Sequence, residues 1–214
     1  MKKLAFLTVA LIIATSTLAA AAVHIVGGAG GSANTFPFMG NSTGHRWQQI
    51  WFQNQINEAG PITLVEFQRH ASSSGPGGTY QSGDVLLCHT GLSAITNTYA
   101  TNYGGFTPVN IFSGVISIPS GAAGTWFTVV GGISNFDYNN VNNLLIEVSW
   151  SSGTSGTNFM NYTTSGQPGR LYAQSKSPTT GSIGAGNGHI ARITIEPRPG
   201  VAPTSLGRVK ALYN

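Results

Sequence analysis

The chain has 214 residues, and only 7% of them are charged, whereas about 25% is typical of soluble domains. The net charge of +4 falls to about +2 without Lys2 and Lys3 of the predicted leader, and no basic cluster occurs, which argues against a nucleic-acid-binding protein. The surface must instead be built from Ser, Thr, Asn and Gln, a composition that suits subunit packing or sugar binding.

The first predicted element is a secretory leader at residues 1–22. A charged start precedes an apolar run over residues 4–18, and small residues end at Ala22, which fits a signal-peptidase site. The run is shorter than the about 20 apolar residues that a transmembrane helix needs. We therefore expect cleavage between Ala22 and Val23, a secreted or cell-surface protein, and no membrane span in the mature chain.

Residues 23–44 follow as a predicted N-terminal strand or arm with a glycine-rich linker. The apolar residues Val23, Ile25 and Val26 precede the glycine-rich stretch 27–31. They fit the first strand of the domain's own sheet, or an arm that completes the sheet of a neighbouring copy through main-chain hydrogen bonds. In the second case the glycines would let the arm leave its own body.

Residues 45–196 predict one all-β domain, a single antiparallel β-sandwich. Short apolar runs alternate with clusters of Gly, Ser, Asn and Pro, which is typical of sandwiches and barrels. One short helix is predicted at residues 50–59, where Gly60 and Pro61 would stop it. The predicted strands are 62–67, 85–89, 109–112, 115–118, 125–130, 144–150, 170–173 and 190–195, and a further strand at 208–213 lies in a Pro-rich C-terminal segment, residues 197–214.

Several of these segments, taken in order, resemble a known type of domain. The helix region "WQQIWFQNQINEAG" leads into "PITLVEFQ", and "DVLLCHTGLSAITNTYATNYGGFTPVNIFSG" is followed by "GTWFTVV", "FDY" and "NNLLIEVSW". This order is similar to a jelly-roll-like β-sandwich domain of secreted and surface proteins of Gram-negative bacteria, over roughly residues 45–195. The closing "SLGRVKALYN" resembles short C-terminal endings of such exported proteins. The resemblance implies a fold and a location outside the cell, and it brings no catalytic residues.

The chain is predicted not to be an enzyme, with no catalytic, cofactor-binding or metal-binding residues. Residues 25–28, "IVGG", match the start of an activated trypsin-like protease, but no histidine or serine stands in the sequence context of such a protease. The six carboxylates form no motif, although two could meet in space as a hydrolase pair, and the five histidines lack metal-ligand spacing. Glu147 is interpreted as a solvated or hydrogen-bonded strand residue rather than a general acid. The single cysteine, Cys88, is interpreted as a buried thiol that points away from His89.

These patterns favour a secreted structural protein that assembles with copies of itself into an extracellular filament or surface layer, by donor-strand exchange. The alternative is a carbohydrate-binding or adhesive module that would bind surface glycans. The candidate residues for the contact between subunits lie in the two terminal segments: Val23, Ile25, Val26, Leu206, Val209 and Leu212. The candidate residues for stacking on sugars are aromatic: Trp47, Trp51, Tyr99, Tyr103 and Trp126.

Overall fold

The computed structural model describes residues 20–40, 43–154 and 158–196, with only the backbone of Thr154. Most of the predicted leader and the whole C-terminal segment 197–214, with Leu206, Val209 and Leu212, lie outside the described residues.

The described residues form an all-β fold in which helices are limited to two single turns. The helices are α1 (Gln53–Ile56) and α2 (Tyr99–Asn102). The strands are β1 (Ala22–Val26), β2 (Ser32–Asn34), β3 (His45–Trp51), β4 (Gly60–Gln68), β5 (Gly78–Thr90), β6 (Val109–Ile118), β7 (Trp126–Gly131), β8 (Asp137–Tyr138), β9 (Asn143–Trp150), β10 (Ser152–Thr154), β11 (Met160–Thr163), β12 (Arg170–Ala173), β13 (Ser182–Gly184), β14 (Gly188–His189) and β15 (Ala191–Ile195).

Two antiparallel sheets form the two layers of a sandwich. The five-stranded sheet has the order β1-β15-β4-β7, with β8 paired to β4. The seven-stranded sheet has the order β10-β5-β9-β3-β12-β13, with β6 paired to β5. A three-stranded sheet, β14-β11-β2, is joined to the end of β4 through a bridge between Arg69 and Met160. The predicted all-β sandwich is confirmed.

The main core lies between the two large sheets and is rich in aromatic rings. Phe67 of β4 packs edge-on against Trp47 of β3, with ring centroids 5.7 Å apart. Trp51 and Trp150 of the opposite sheet are fully buried in the same cluster. These rings alternate with outward residues along their strands, as the pleat of a β-strand requires.

A second apolar cluster covers the outer side of the seven-stranded sheet. Ile50, Cys88 and Leu145 project outward from β3, β5 and β9, and Ile95 and Tyr99 pack over them from the segment that follows β5. Strand β9 is therefore buried on both faces from Leu144 to Trp150. We call the outward side chains of β3, β5 and β9 the covered face.

The predicted helix at 50–59 is wrong over most of its length. Residues 45–51 form β3, and only Gln53–Ile56 is helical, ending where Asn57 adopts a left-handed conformation. Gln48 and Gln49 are both fully buried, one toward each side of the sheet. Because both faces of β3 are buried, the strand lacks the polar–apolar alternation that normally marks a strand in a sequence.

Candidate functional site

Strand β1 lies at one edge of the five-stranded sheet. It pairs antiparallel with β15, with Val23 opposite Thr194 and Ile25 opposite Arg192. Val26 is buried in the main core, whereas Val23 is 55% exposed and Ile25 is 61% exposed. The first of the two interpretations of this segment, a strand of the domain's own sheet, therefore describes the chain as folded here, and its two outward side chains remain unburied.

The glycines after β1 form a packed turn in the folded chain. Gly27 has φ of 95°, and a Cβ there would lie 2.0 Å from the carbonyl oxygen of His189. The N–H of Gly31 donates a hydrogen bond of 2.8 Å to Oδ1 of Asn161. Glycine is needed at position 27 because the backbone of another strand lies against it.

We call the outer side of the five-stranded sheet the open face; among the described residues, no apolar cluster packs over it. Its members are the outward residues of four strands, Val23, Ile25, Leu64, Glu66, Trp126, Thr128, Arg192 and Thr194. Arg192 donates to both carboxylate oxygens of Glu66, at 2.6 and 2.7 Å, and its guanidinium lies 4.9 Å from the ring centroid of Trp126. The open face thus combines exposed aliphatic groups, one ion pair and a half-buried indole.

Strand β7 forms the other edge of this sheet and borders a groove. The seam groove, as we call it, separates β7 from β6, the neighbouring edge of the opposite sheet, and has a volume of about 490 Å³. Its apolar walls come from Phe112, Val115 and Ile116 of β6 and from Phe127 and Val129 of β7. Sequence reasoning did not find this groove.

The strands at these edges contain no Lys, Arg, Asp or Glu, the residues that normally protect a sheet edge; the one titratable side chain among them, His24 of β1, pairs with Glu58 at 2.9 Å. The sequences of β1, β6 and β7 are AVHIV, VNIFSGVISI and WFTVVG. Among the described residues, β1 pairs only with β15, β6 only with β5, and β7 only with β4. Natural proteins usually place Lys, Glu or Pro on such strands to prevent pairing with other chains. The sequences of β6 and β7 show this lack of charge, but they do not show that the two strands lie side by side and form the seam groove.

On the covered face, Glu147 holds together residues far apart in the chain. Its carboxylate accepts bonds from Arg46 Nε at 2.9 Å and Nη2 at 3.0 Å, from Gln48 Nε2 at 2.6 Å, and from the Tyr103 hydroxyl at 2.8 Å. The Arg46 guanidinium also lies 4.3 Å from the ring centroid of Tyr99. Burial, with Glu147 next in effect, raises the pKa of Tyr103 to about 12. The interpretation of Glu147 as a hydrogen-bonded strand residue is confirmed.

A second groove of about 320 Å³ brings Asp84 and Glu147 to the same surface of the sheet. Asp84 pairs with Lys176 at 2.8 Å and accepts a hydrogen bond from Ser113 at 2.7 Å. Burial alone would raise the pKa of Asp84, but the bonds from Lys176 and Ser113 outweigh it and lower this pKa. A glycosidase acid needs a raised pKa, so the lowered pKa of Asp84 does not suit this residue to that role.

Most of the aromatic residues predicted to stack on sugars are buried. Trp47 and Trp51 lie in the main core, and Tyr99 lies in the second cluster. The prediction of an exposed platform is wrong for these three, because β3 and α2 are covered on the sides that carry them. Tyr103 is half-buried, with its hydroxyl held by Glu147, and Trp126 is half-buried on the open face.

Cys88 and His89 point to opposite sides of β5, as predicted. Cys88 is buried in the second cluster, and burial, helped by the charge of Glu147, raises the pKa of its thiol to about 11. The His89 ring stacks on Phe136, 5.0 Å between centroids, and accepts a hydrogen bond from the backbone N–H of Asn139. A protonated thiol without the imidazole beside it lacks the activation that a catalytic cysteine requires.

Sequence reasoning also missed a buried cation at one end of the main core. The Arg170 guanidinium lies 4.9 Å from the ring centroid of Tyr162, 5.3 Å from that of Phe36 and 5.8 Å from that of Tyr172. His45, which is fully buried, stacks on Phe36 with 5.0 Å between ring centroids. These contacts join residues of four separate segments, so no local motif could have indicated them.

The described residues contain no group of three or more His, Cys, Asp or Glu side chains that could hold a metal ion. Within the same residues, no helix has the length and apolar character needed to cross a bilayer. Comparison of the chain with protein families, with curated proteins and with solved structures finds no match.

Proposed function

We propose that this protein is a secreted structural subunit that assembles with copies of itself into an extracellular filament or layer. The observation that carries the proposal is the state of the two edges of the five-stranded sheet. Neither edge strand, β1 or β7, contains Lys, Arg, Asp or Glu, and β1 exposes Val23 and Ile25 to solvent.

The arrangement of the edges supports growth in one direction. Strands β1 and β7 stand at opposite ends of the order β1-β15-β4-β7 and contain five and six residues. If β1 of one copy pairs with β7 of the next, the contact is head-to-tail and need not close into a ring, so it can repeat into an open filament. Ile25 and Val23 would then be covered beside the Trp126 side of the next copy, which removes apolar surface from water.

Secretion is part of the proposal and rests on the leader-like residues 1–22. Cleavage after Ala22 would start the mature chain at Val23, the second residue of β1, and would remove only the pair between Ala22 and Ile195 from the β1–β15 ladder. Expression with the native leader in a Gram-negative host should yield an exported protein whose intact mass starts at Val23. An exported mass that retains residue 1 would contradict this part.

The assembly itself is tested by electron microscopy and sedimentation of the exported chain. We expect filaments or sheets from the native sequence. We expect Ile25→Lys to reduce the sedimenting fraction at least about tenfold, because a desolvated charge at a strand edge opposes pairing.

Val141→Lys is the matched control. Val141 is 78% exposed and belongs to the segment between β8 and β9, outside both edge strands, so the new charge should leave assembly unchanged. A native chain that stays monomeric at all concentrations, while folded by circular dichroism, would overturn the proposal.

The second candidate function, carbohydrate binding, is favoured by one observation. The half-buried indole of Trp126 lies on the open face beside Gln68 and Thr128, so an aromatic ring and polar groups are presented together. Aromatic rings and polar groups at one surface are what a sugar requires. A glycan array probed with the native chain and with Trp126→Ala tests it: binding that the variant loses would support this function, and no binding to any glycan would reject it.

A further inference from the structure

We propose that the outer side of the seven-stranded sheet binds a neutral hexopyranose unit, in the groove of about 320 Å³ that Asp84 and Glu147 share. We call this groove the polar groove, and its defining side chains are Arg46, Asp84, Leu86, Glu147, Ser149 and Lys176. The site goes beyond the proposed assembly, because β1 and β7 belong to the other sheet. It also shares no residue with the surface around Trp126.

Three neighbouring strands of the sheet build the floor of the polar groove. Ser149 of β9 lies opposite Arg46 of β3 on one side and opposite Asp84 of β5 on the other. Two residues along β9, Glu147 lies opposite Leu86. Residues two apart in a strand project to the same face of the sheet. These five side chains therefore stand together, although their strands are far apart in the sequence.

The hydroxyl of Ser149 is the observation that points to a ligand. Ser149 lines the groove and is only 4% exposed. Among the described residues, no group forms a hydrogen bond with its hydroxyl, whereas the large majority of buried polar side-chain atoms have a partner. A hydroxyl can donate one hydrogen bond and accept others, so it can pair with a sugar hydroxyl in either direction.

The charged side chains of the groove hold one another in place and keep capacity for further hydrogen bonds. Glu147 accepts three of its hydrogen bonds at Oε2, but at Oε1 it accepts only the one from Nε of Arg46. Lys176 donates to Oδ2 of Asp84 at 2.8 Å and to the carbonyl of Ser82 at 2.6 Å. Because an ammonium has three N–H donors and a carboxylate about four acceptor positions, donors and acceptors remain for a ligand at fixed positions.

The balance of charge in the groove favours a neutral ligand. Arg46 pairs with Glu147, and Lys176 pairs with Asp84, so a charged ligand would have to compete with an ion pair and would meet a like charge beside its partner. Leu86 is half-buried on the floor between these groups. A pyranose ring offers hydroxyl groups to the polar side chains and C–H groups to the leucine. The volume is near the lower end of the range for ligand pockets, about 300–1,000 Å³, which suits a single sugar ring.

Titration of the folded chain with neutral methyl pyranosides tests the inference. The probes are the methyl glycosides of glucose, galactose and mannose, and binding is measured by saturation-transfer NMR and by calorimetry. We expect at least one of them to bind. The uronic acid and the amino sugar of the same configuration, which carry a charge, should bind at least about fivefold more weakly.

Two variants of Ser149 locate the site. Ser149→Val fills part of the groove without altering a charge and should weaken binding at least about tenfold. Ser149→Ala removes only the hydroxyl and should weaken binding about fivefold. Ser182→Val is the matched control, because Ser182 is exposed in β13 and does not line the groove; its binding should be unchanged. Circular dichroism checks that each variant is folded.

The outcomes separate this inference from the proposed function. If none of the pyranosides binds, the inference is overturned, and filaments seen by electron microscopy would leave the assembly standing. Binding that both variants of Ser149 retain would also overturn the inference, and its loss in Trp126→Ala would assign the sugar to the open face. Binding that depends on Ser149, in a chain that stays monomeric at all concentrations, would support the inference and contradict the assembly.

Discussion

The outer sides of the two sheets differ in how they are covered. On the seven-stranded sheet, residues 92–103 and the ion pair of Arg46 with Glu147 close over β3, β5 and β9, and β9 is buried on both faces. On the five-stranded sheet, β15 alternates between buried and half-exposed residues, and β1 leaves Val23 and Ile25 in solvent. A long segment of the chain therefore covers the outer side of the seven-stranded sheet, whereas the outer side of the five-stranded sheet keeps exposed aliphatic side chains. In the proposed assembly, a second molecule would supply this cover.

The largest effect is expected from removing the carboxylate under the covered face. Glu147→Ala leaves Arg46 without its partner in a mostly buried position, which should lower the free energy of unfolding by about 3 kcal/mol. Glu66→Ala on the open face breaks a shorter pair, 2.6 Å against 2.9 Å, but Arg192 keeps about a third of its side chain in solvent, so the loss should be about 1 kcal/mol. Urea unfolding of the two variants measures both. Equal losses of unfolding free energy in the two variants would contradict the expected difference between the two faces.

The second prediction concerns the junction between β1 and the rest of the sheet. Gly27→Ala would place a Cβ against the carbonyl oxygen of His189, whereas the same change at Gly31, also at positive φ, meets nothing within 4 Å. Both variants carry the strain of a left-handed residue, and Gly27→Ala should lose about 1–3 kcal/mol more, the range typical of overpacking. Thermal unfolding of both variants measures the difference. A Gly27→Ala chain as stable as Gly31→Ala would mean that β1 is not held in its own sheet.

The third prediction concerns the pH dependence of stability that two buried histidines cause. Burial, together with the charge of Arg170, lowers the pKa of His45 from 6.5 to about 3 and lowers that of His189 well below 6.5. Below pH 6.5 the unfolded chain binds protons that the folded chain excludes, so stability is full above that pH and falls as the solution is acidified. The slope should be about 2.7 kcal/mol per pH unit for the two histidines.

His45→Phe supplies the control for this slope. Within the part of the chain that the structure describes, neither ring nitrogen of His45 has a hydrogen-bond partner, and a phenyl ring can replace the imidazole stack on Phe36. The variant should keep its neutral-pH stability and lose about half of the slope between pH 6 and 4, measured by urea unfolding at a series of pH values. An unchanged slope would show that His45 does not titrate on unfolding.

The strands that could be predicted from sequence are those with a simple pattern. The prediction of 144–150 matches β9, and that of 170–173 matches β12, because both are apolar runs bounded by turn residues. Strand β3 could not be predicted, because the side-chain amides of its buried glutamines form hydrogen bonds with residues far away in the sequence. Gln49, for example, donates to the carbonyl of His189, 140 residues away. Strand β6 runs unbroken through Gly114 where the pattern predicted two strands, because Gly83 of β5 lies opposite that glycine.

Some features of the candidate site could likewise be predicted from the sequence, and others could not. The apolar character of Val23 and Ile25 is visible in the sequence, and their exposure depends on which edge β1 occupies. The seam groove needs β6 and β7, which belong to different sheets, to come together, and no local pattern specifies this. The wrong prediction that buried aromatic residues are exposed has the same cause. Trp47 and Trp126 look alike in sequence and differ only in whether their side of the sheet faces the core.

Because of the positions of its four tryptophans, the intrinsic fluorescence of the protein can report on contacts at one sheet edge. Trp47, Trp51 and Trp150 are fully buried, and Trp126 alone reaches solvent, at the edge that borders the groove. In the isolated chain, acrylamide should quench only this one indole, so the quenchable part of the fluorescence belongs to Trp126. Loss of that part on concentrating the sample would follow contact formation at β7 in real time and without any label.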